Sequence, residues 1–367
     1  MFEALIESWE GEETVVHYDA PSGTWMFVCL HSSALGPASG GTRMKVYDTA
    51  SDGLADAMDL SAAMTRKFAV AGLPMGGGKA VLAVRALPDP AARRRVIERY
   101  ADIVASLHGG YWTGPDMNTS EADMDLVHDR CPYAFGRSPS RGGSGDSAPD
   151  TAVGVFHGIR ASVAHAFGSP ELSGRTVMVQ GAGRVGSELV GHLVEAGAKV
   201  LVSDVVEDRA RALAAGTGSI LVPAGEEFAA ECDVFAPCAT GGVLSARSIP
   251  ELQCRVVAGS ANNQLATAAD ALALRDRGII YAPDYVINAG GALHLVGQEA
   301  LGWNRDELDR RLVGIGEVLG QIYRGADTEG VSTEEAAERI ARARLADARL
   351  SPGATISIDP ARRRPHT

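Results

Sequence analysis

The stretch that most limits the fold is Thr176–Asp204, "TVMVQGAGRVGSELVGHLVEAGAKVLVSD". It reads as an apolar strand, a glycine turn, an amphipathic helix and a second apolar strand that ends on an acid. Gly181, Gly183 and Gly186 have GxGxxG spacing, with Arg184 and Val185 inside the motif. In such a unit the first glycine permits the tight turn, the second lets a pyrophosphate approach the backbone, and the third packs helix against strand. The helix N-terminus then offers unpaired N–H groups and its positive dipole end to the phosphates. Asp204 is placed to accept hydrogen bonds from the adenosine ribose, and its charge, reinforced by the acids of "SDVVED", opposes a 2′-phosphate. NAD is therefore expected rather than NADP. The competing explanation is a glycine-rich turn in an unrelated sheet. The strand before, the helix after and the acid in place weigh against it.

The pattern continues. "CDVFAPC", "RVVAGS" and "GIIYAPD" are further short apolar runs between helical stretches, which predicts a parallel, doubly wound α/β sheet. Ligands of open parallel sheets lie at the carboxyl ends of the strands. That places Cys238, Ala239, Thr240, Ala261 and Asn263 on the cofactor side, with Asn262 and Asn263 towards the nicotinamide end. Asparagines after a strand are also common turn formers, and both readings stay open here.

The first part of the chain mixes strands and helices differently. "TWMFVCLH" and "KAVLAV" read as strands, and "DGLADAMDLSAAMTRK" and "PAARRRVIERYADIVASLH" as helices. The loop-like Gly136–Asp150 segment, "GRSPSRGGSGDSAPD", marks the expected domain boundary. The expected organisation is an N-terminal α/β substrate and oligomerisation domain (1–148) and a Rossmann-type dinucleotide domain (149–302). C-terminal helices (303–350) packing back towards the first domain and a flexible tail (351–367) follow. A net charge of -12 argues against nucleic acid as the main partner. Five cysteines without a CxxC pair suit a reducing compartment. The acidic N-terminus is unlike a secretory signal and no apolar run is long enough to span a membrane, so a soluble, cytoplasmic protein is expected.

Chemistry concentrates in Thr65–Leu82, "TRKFAVAGLPMGGGKAVL". A lysine behind glycines suggests a phosphate loop, but Leu73 and Ala80 stand where that motif needs glycine and Ser or Thr. Of the 34 basic residues, lysine occurs only at Lys45, Lys67, Lys79 and Lys199. A chain that uses arginine so freely and keeps lysine twice in one motif points to an amine that can lose its proton, although chance in a small sample competes. Other candidates fall away. Among the nine histidines, His294 sits in an apolar helical stretch that favours core packing, and His128 with Cys131 has no metal-ligand partners. No metal site is expected. Lys67, Lys79 and Asp116 in "YWTGPDMNTS" remain, with a capping or turn role as the alternative for the acid.

These motifs identify a family. "LGPASGGTRM", "MTRKFAVAGLPMGGGKAVL", "GPDMNTSEADM", "APCATGGVL", "GSANNQL" and "YAPDYVINAGG" resemble the amino-acid dehydrogenases of the glutamate, leucine, valine and phenylalanine group, from about residue 25 to 348. The resemblance implies oxidative deamination of an L-amino acid by NAD, giving a 2-oxo acid, ammonium and NADH. It implies that Lys67 holds the substrate carboxylate with the backbone of Gly40 and Gly41, that Lys79 is the catalytic base, and that Asp116 shares the proton transfers. It places Asn262 near the amino-acid main chain and Thr151 against the nicotinamide carboxamide. Glycines 76–78 are expected to let backbone and substrate come close. The family also implies a homo-oligomer.

Substrate choice is expected from the pocket positions. Gly114 and Ala292 open volume, Leu295 follows on the same helix as Ala292, and Ser39 stands where many relatives carry a larger apolar residue. At these points the chain resembles phenylalanine dehydrogenases, so an aromatic amino acid is expected. A branched-chain substrate is the alternative, and a catalytically inactive NAD-binding sensor or scaffold is the alternative of another class.

Overall fold

The computed structural model describes residues 2–350, and the expected tail (351–367) lies outside them. The chain divides into two compact units. The first comprises residues 2–146, Leu295–Trp303 and residues 341–350; the second comprises Ser147–His294 and Asn304–Ile340. The division falls inside the Gly136–Asp150 segment.

The first unit begins with α1 (Phe2–Trp9), β1 (Glu13–Asp19), β2 (Thr24–Ser32) and β3 (Ala38–Val46). Then come α2 (Ala50–Ala71), β4 (Gly76–Val84), α3 (Pro90–Ser106), β5 (Tyr111–Pro115) and α4 (Glu121–His128). The sheet order is β1-β2-β4-β3-β5. β2 runs antiparallel to β1 and β4, while β3 is parallel to β4 and β5.

Every residue of β4 is buried, because the alternation of a strand sends its side chains to two covered faces. Ala80, Leu82 and Val84 join Val96, Ile97 and Tyr100 of α3 and Met124 of α4. Val81 and Ala83 face Leu54, Ala57 and Met58 of α2. Lys79 has the parity of the α2 side.

α2 is fixed at both ends. Thr49 and Asp52 form a reciprocal capping box, and Gly72 closes the helix in the left-handed region at φ 67°. Arg344 then donates to the Ala69 and Val70 carbonyls at 2.7 and 2.6 Å, satisfying groups a helix end leaves unpaired.

The second unit opens with α5 (Ala148–Phe167), β6 (Thr176–Gln180), α6 (Arg184–Glu195), β7 (Lys199–Ser203), α7 (Glu207–Thr217), β8 (Ile220–Leu221) and β9 (Val234–Pro237). It continues with β10 (Val256–Val257), α8 (Ala269–Asp276), β11 (Ile280–Tyr281), α9 (Asp284–Ile287), α10 (Gly290–Glu299), α11 (Arg305–Glu329) and α12 (Thr333–Leu350). α10 and α12 each run from one unit's residues into the other's.

The sheet order β11-β10-β9-β6-β7-β8 is parallel throughout. Its strand order reverses beside β6, the doubly wound arrangement with the crevice at that switch point. α11 packs along α5, where Ser162 and Tyr323 share a buried hydroxyl hydrogen bond at 2.6 Å.

The strand expected from Lys79 begins three residues earlier, so Gly76, Gly77 and Gly78 belong to β4. Of the C-terminal helices, residues 304–340 group with the second unit, where α11 packs on α5, and residues 341–350 with the first. Among the described residues no helix is long and apolar enough to cross a membrane.

Candidate active site

Lys79 and Asp116 form a close ion pair in the first unit. Lys79 Nζ donates to Asp116 Oδ2 at 2.7 Å, and the lysine side chain is only 7% exposed. Arg43, on β3, donates through Nε to the same carboxylate oxygen at 3.2 Å. Burial by itself would raise the Asp116 pKa, but the charges of Lys79 and Arg43 outweigh it and hold the carboxyl well below the usual carboxylate range.

The turn after β5 fixes where Asp116 stands. Thr119 Oγ1 accepts from the Asp116 amide and donates to the Thr42 carbonyl, both at 2.8 Å. Asn118 takes a left-handed φ of 58° and donates to the Met44 carbonyl at 3.0 Å. Ser120 and Asp123 then make the capping box that starts α4. Asp116 itself is not the capping acid.

The glycines around this pair are sites of tight packing. A Cβ on Gly40 would stand 1.8 Å from the Gly78 carbonyl oxygen, and one on Gly41 would stand 2.7 Å from the Pro115 carbonyl oxygen. On Gly76 it would meet the Ser32 carbonyl oxygen at 2.0 Å, on Gly77 Thr65 Oγ1 at 2.0 Å, and on Gly78 the Tyr111 ring at 2.8 Å. At residues 76–78 the close approach seen is that of β2, α2 and β5 of the protein itself. Tyr111 in turn donates to the Gly40 carbonyl at 2.6 Å.

Lys67 lies on α2, half-buried. Ser39 is buried on β3 opposite Gly77 and Trp112. Gly114 is buried on β5, yet a Cβ there would come no nearer than 3.8 Å to Phe135. Leu295 lies near Gly136, where an added Cβ would meet Leu295 Cδ2 at 3.4 Å and Pro115 Cδ at 2.5 Å.

In the second unit the glycine turn has the geometry its spacing predicts. Gly181 takes φ 109°, a left-handed value that disfavours other residues. A Cβ on Gly186 would fall 2.0 Å from the Gly181 carbonyl oxygen, whereas one on Gly183 would meet nothing within 4 Å. Gly183 is the N-cap of α6, with Arg184 and Val185 in its first turn. Asp204 braces the turn: one carboxylate oxygen accepts from the Ala182 amide and the other from the Val206 amide, each at 2.7 Å.

Cys238, Ala239 and Thr240 follow β9 at its carboxyl end. Ala261, Asn262 and Asn263 follow β10, and Asn263 has a left-handed φ of 50°. Asn288 donates to Asn262 Oδ1 at 2.7 Å and orients that side chain. Thr151, in the first turn of α5, donates to the Ser147 carbonyl at 2.8 Å. Ala292 is half-buried on α10.

His294 is buried and pairs through Nδ1 with Asp150 Oδ2 at 2.6 Å, while Arg305 reaches Asp150 Oδ1 at 2.7 Å. Burial raises the Asp150 carboxyl, and these two partners more than offset it, so its pKa is lowered. Arg43, Asp150 and Asn288 are the neighbours that the sequence did not single out. Arg43 sits inside "LGPASGGTRM", but only the fold brings it to Asp116. Among the described residues, no group of His, Cys, Asp and Glu is arranged to hold a metal ion.

A parallel, doubly wound sheet whose first βα turn carries the GxGxxG glycines is the architecture of a dinucleotide-binding protein. The chain belongs to the Glu/Leu/Phe/Val dehydrogenases, matching the family's dimerisation domain over residues 22–133 and its second domain over residues 204–353. It is 39% identical to a leucine dehydrogenase of Thermoactinomyces intermedius, over 89% of this chain and 88% of that one. It is 42% identical to a valine dehydrogenase of Streptomyces albus, over 87% and 88%. The crystal structure of an L-tryptophan dehydrogenase from Nostoc punctiforme superposes with a TM-score of 0.81 at 34% identity, covering 96% of this chain and all of that one. The protein is therefore an amino-acid dehydrogenase, an oxidoreductase that uses a nicotinamide cofactor.

Proposed function

We propose that this enzyme deaminates an aromatic L-amino acid, phenylalanine foremost, to its 2-oxo acid and ammonium with NAD as the acceptor. NAD, when bound, would supply the hydride acceptor for the substrate α-carbon. The glycine turn fits such a cofactor, because Gly183 leaves open space at the N-terminus of α6 while Gly181 and Gly186 shape the turn. Gly181, Gly183, Arg184, Val185 and Gly186 would hold the pyrophosphate, and Asp204 would hold the adenosine ribose and disfavour a 2′-phosphate. Thr151, Cys238, Ala239, Thr240, Ala261 and Asn263 serve the nicotinamide half.

Lys67 binds the substrate carboxylate together with the backbone of Gly40 and Gly41, and Asn262 binds near the amino-acid main chain. Lys79 takes the proton of the water that attacks the substrate iminium. Asp116 accepts and returns protons beside it, within the 2.7 Å hydrogen bond already formed. Arginine could not replace Lys79, since a guanidinium keeps its proton. This intact pair speaks against an inactive sensor or scaffold.

The observation that supports the aromatic reading is the missing side chain at Gly114, where an added Cβ would meet Phe135 at 3.8 Å, an ordinary contact distance, so that glycine leaves the space of a side chain vacant there. Ser39, Ala292 and Leu295 are the other proposed pocket positions. The structural likeness to a tryptophan dehydrogenase supports the same reading. A branched-chain substrate is the second reading, favoured by the relatives named leucine and valine dehydrogenases.

The test is formation of NADH with a panel of amino acids at alkaline pH. Phenylalanine, tyrosine or tryptophan should be turned over fastest and glutamate not at all. Leucine or valine ahead of every aromatic would replace the first reading by the second. A cytoplasmic homo-oligomer is part of the proposal, supported by the match to a dimerisation domain and checked by light scattering.

A further inference from the structure

Arg43 has no role in the scheme above, yet its guanidinium lies where the proton-transfer pair needs a charge. It leaves β3 on the α2 side of the sheet, and its Nε bonds Asp116 Oδ2 at 3.2 Å, the oxygen that also accepts from Lys79 Nζ at 2.7 Å. Its Nη1 reaches Asp56 Oδ2, on α2, at 3.0 Å. Tyr47, one residue beyond β3, donates its hydroxyl to that Asp56 oxygen at 2.5 Å. The Arg43 and Asp116 side chains are only 15% and 23% exposed, so their charges act with little screening.

A base must alternate between ammonium and amine. Each time Lys79 gives up its proton, Asp116 loses the cation beside it. A guanidinium does not titrate in the working range, so Arg43 supplies a cation through the whole cycle. We propose that Arg43 is a positioning residue that holds Asp116 in place and keeps its proton affinity low, so that a proton it accepts is readily returned to Lys79. The proposal rests on the reading of Lys79 and Asp116 as the proton-transfer pair. Burial would raise the Asp116 carboxyl, and the combined charges of Lys79 and Arg43 reverse that, which fits the assigned role. Among the described residues, Lys79 on β4, Arg43 on β3, Asp56 on α2 and Tyr47 beyond β3 face Asp116, directly or through Arg43.

The experiment is the pH profile of kcat/KM for the reacting amino acid, in the full-length wild type, Arg43→Gln, Arg43→Lys and Asp56→Asn. Removing a positive charge favours the protonated forms of both members of the pair. The acid limb of Arg43→Gln should therefore move up by about one pH unit, seen as about a tenfold loss on that limb. Arg43→Lys should bring the limb back while kcat stays low, because lysine cannot bond both carboxylates as a planar fork does. Asp56→Asn removes a negative charge beyond Arg43 and should move the limb down, by less.

Thermal midpoints separate folded from unfolded variants, and a ¹³C titration of the Asp116 carboxyl reads the charge effect without turnover. Opposite shifts in Arg43→Gln and Asp56→Asn support the proposal, since a merely structural role would lower kcat without moving the limb in two directions. An unmoved limb in a folded, active Arg43→Gln overturns it and leaves the pair's own role standing. Should Arg43→Gln not fold, the sign of the Asp56→Asn shift decides. A wild type without turnover of any amino acid overturns the reading of the pair and this proposal with it.

Discussion

The two glycine-rich stretches use a missing side chain in opposite ways. In the first unit the space beside Gly76, Gly77 and Gly78 is filled by the protein, with contacts at 2.0, 2.0 and 2.8 Å to a Cβ that is not there. In the second, the corresponding space beside Gly183 is open to 4 Å. One stretch lets α2, β2 and β5 close on a central strand, and so sets Lys79 against Asp116. The other leaves open space beside the N-cap of α6. Glycine before a functional residue therefore has two meanings, close packing or room for a ligand, and the sequence alone does not separate them.

The division of labour between these regions is broken most severely at the lysine. Lys79→Ala should lower kcat by about 10³-fold, in the range assigned to a positioned general base. NADH affinity, followed by its fluorescence, should change little. Equal losses of rate and cofactor affinity would place Lys79 on the cofactor and dissolve the contrast.

The glycines themselves give the next largest effect. Gly77→Ala forces a methyl onto Thr65 Oγ1 and the Thr65 amide nitrogen, at 2.0 and 2.3 Å. Backbone cannot swing aside as a flexible side chain does, so the expected loss of stability is about 3 kcal/mol or more. Gly183→Ala has an ordinary φ of -79° and free space. It should leave unfolding within about 0.5 kcal/mol while weakening NADH binding about tenfold. Urea unfolding and NADH titration of the two variants make the check. If Gly183→Ala unfolds as easily as Gly77→Ala, the space beside Gly183 is filled in solution and the contrast between the two stretches fails.

Asp204 sharpens the second half of the comparison. A carboxylate about 4 Å from a phosphate at an effective dielectric near 20 is opposed by about 4 kcal/mol before screening. With solvent and salt leaving about half of that, about 2 kcal/mol, Asp204→Ala should narrow the preference for NAD over NADP by about thirtyfold. The carboxylate also holds the Ala182 and Val206 amides, so NAD affinity should fall in the same variant. Equal use of both cofactors by the wild type would contradict the assignment.

How far the sequence carried these readings differs between the units for a physical reason. The dinucleotide unit is written locally. Its strand, turn, helix and strand are contiguous, and Gly181, Gly183, Gly186 and Asp204 meet within one stretch of chain. The first unit is written non-locally. β3 holds "ASGGTRMKV", a run of small and polar residues without strand alternation, and it becomes a strand because β4 and β5 flank it. β1, β5 and the two-residue β8 were not legible either, being short or half-exposed. Lys79 and Asp116 were nameable from their motifs. Arg43 was not, because its contact with Asp116 crosses from β3 to the turn after β5, and nothing in its neighbours along the chain announces it.

The proposed substrate preference offers the smallest effect and the finest discrimination. Gly114 tolerates a Cβ without clash, at 3.8 Å from Phe135, so Gly114→Ala should fold normally. Combined with Ala292→Val it adds three carbons where an aromatic ring is proposed to lie, about 2 kcal/mol of overpacking. A leucine or valine side chain would instead meet better-filled walls, worth about 0.8 kcal/mol per newly buried methylene. The ratio of kcat/KM for phenylalanine over leucine should therefore fall at least about tenfold, since about 1.4 kcal/mol is one factor of ten. The ratio is the right quantity because both substrates would share Lys67, Lys79 and Asp116. Steric crowding of the ring leaves those groups alone and moves phenylalanine only. A double variant that slows both substrates equally would instead mean that residues 114 and 292 hold the catalytic groups in place, and the aromatic assignment would lose its main support.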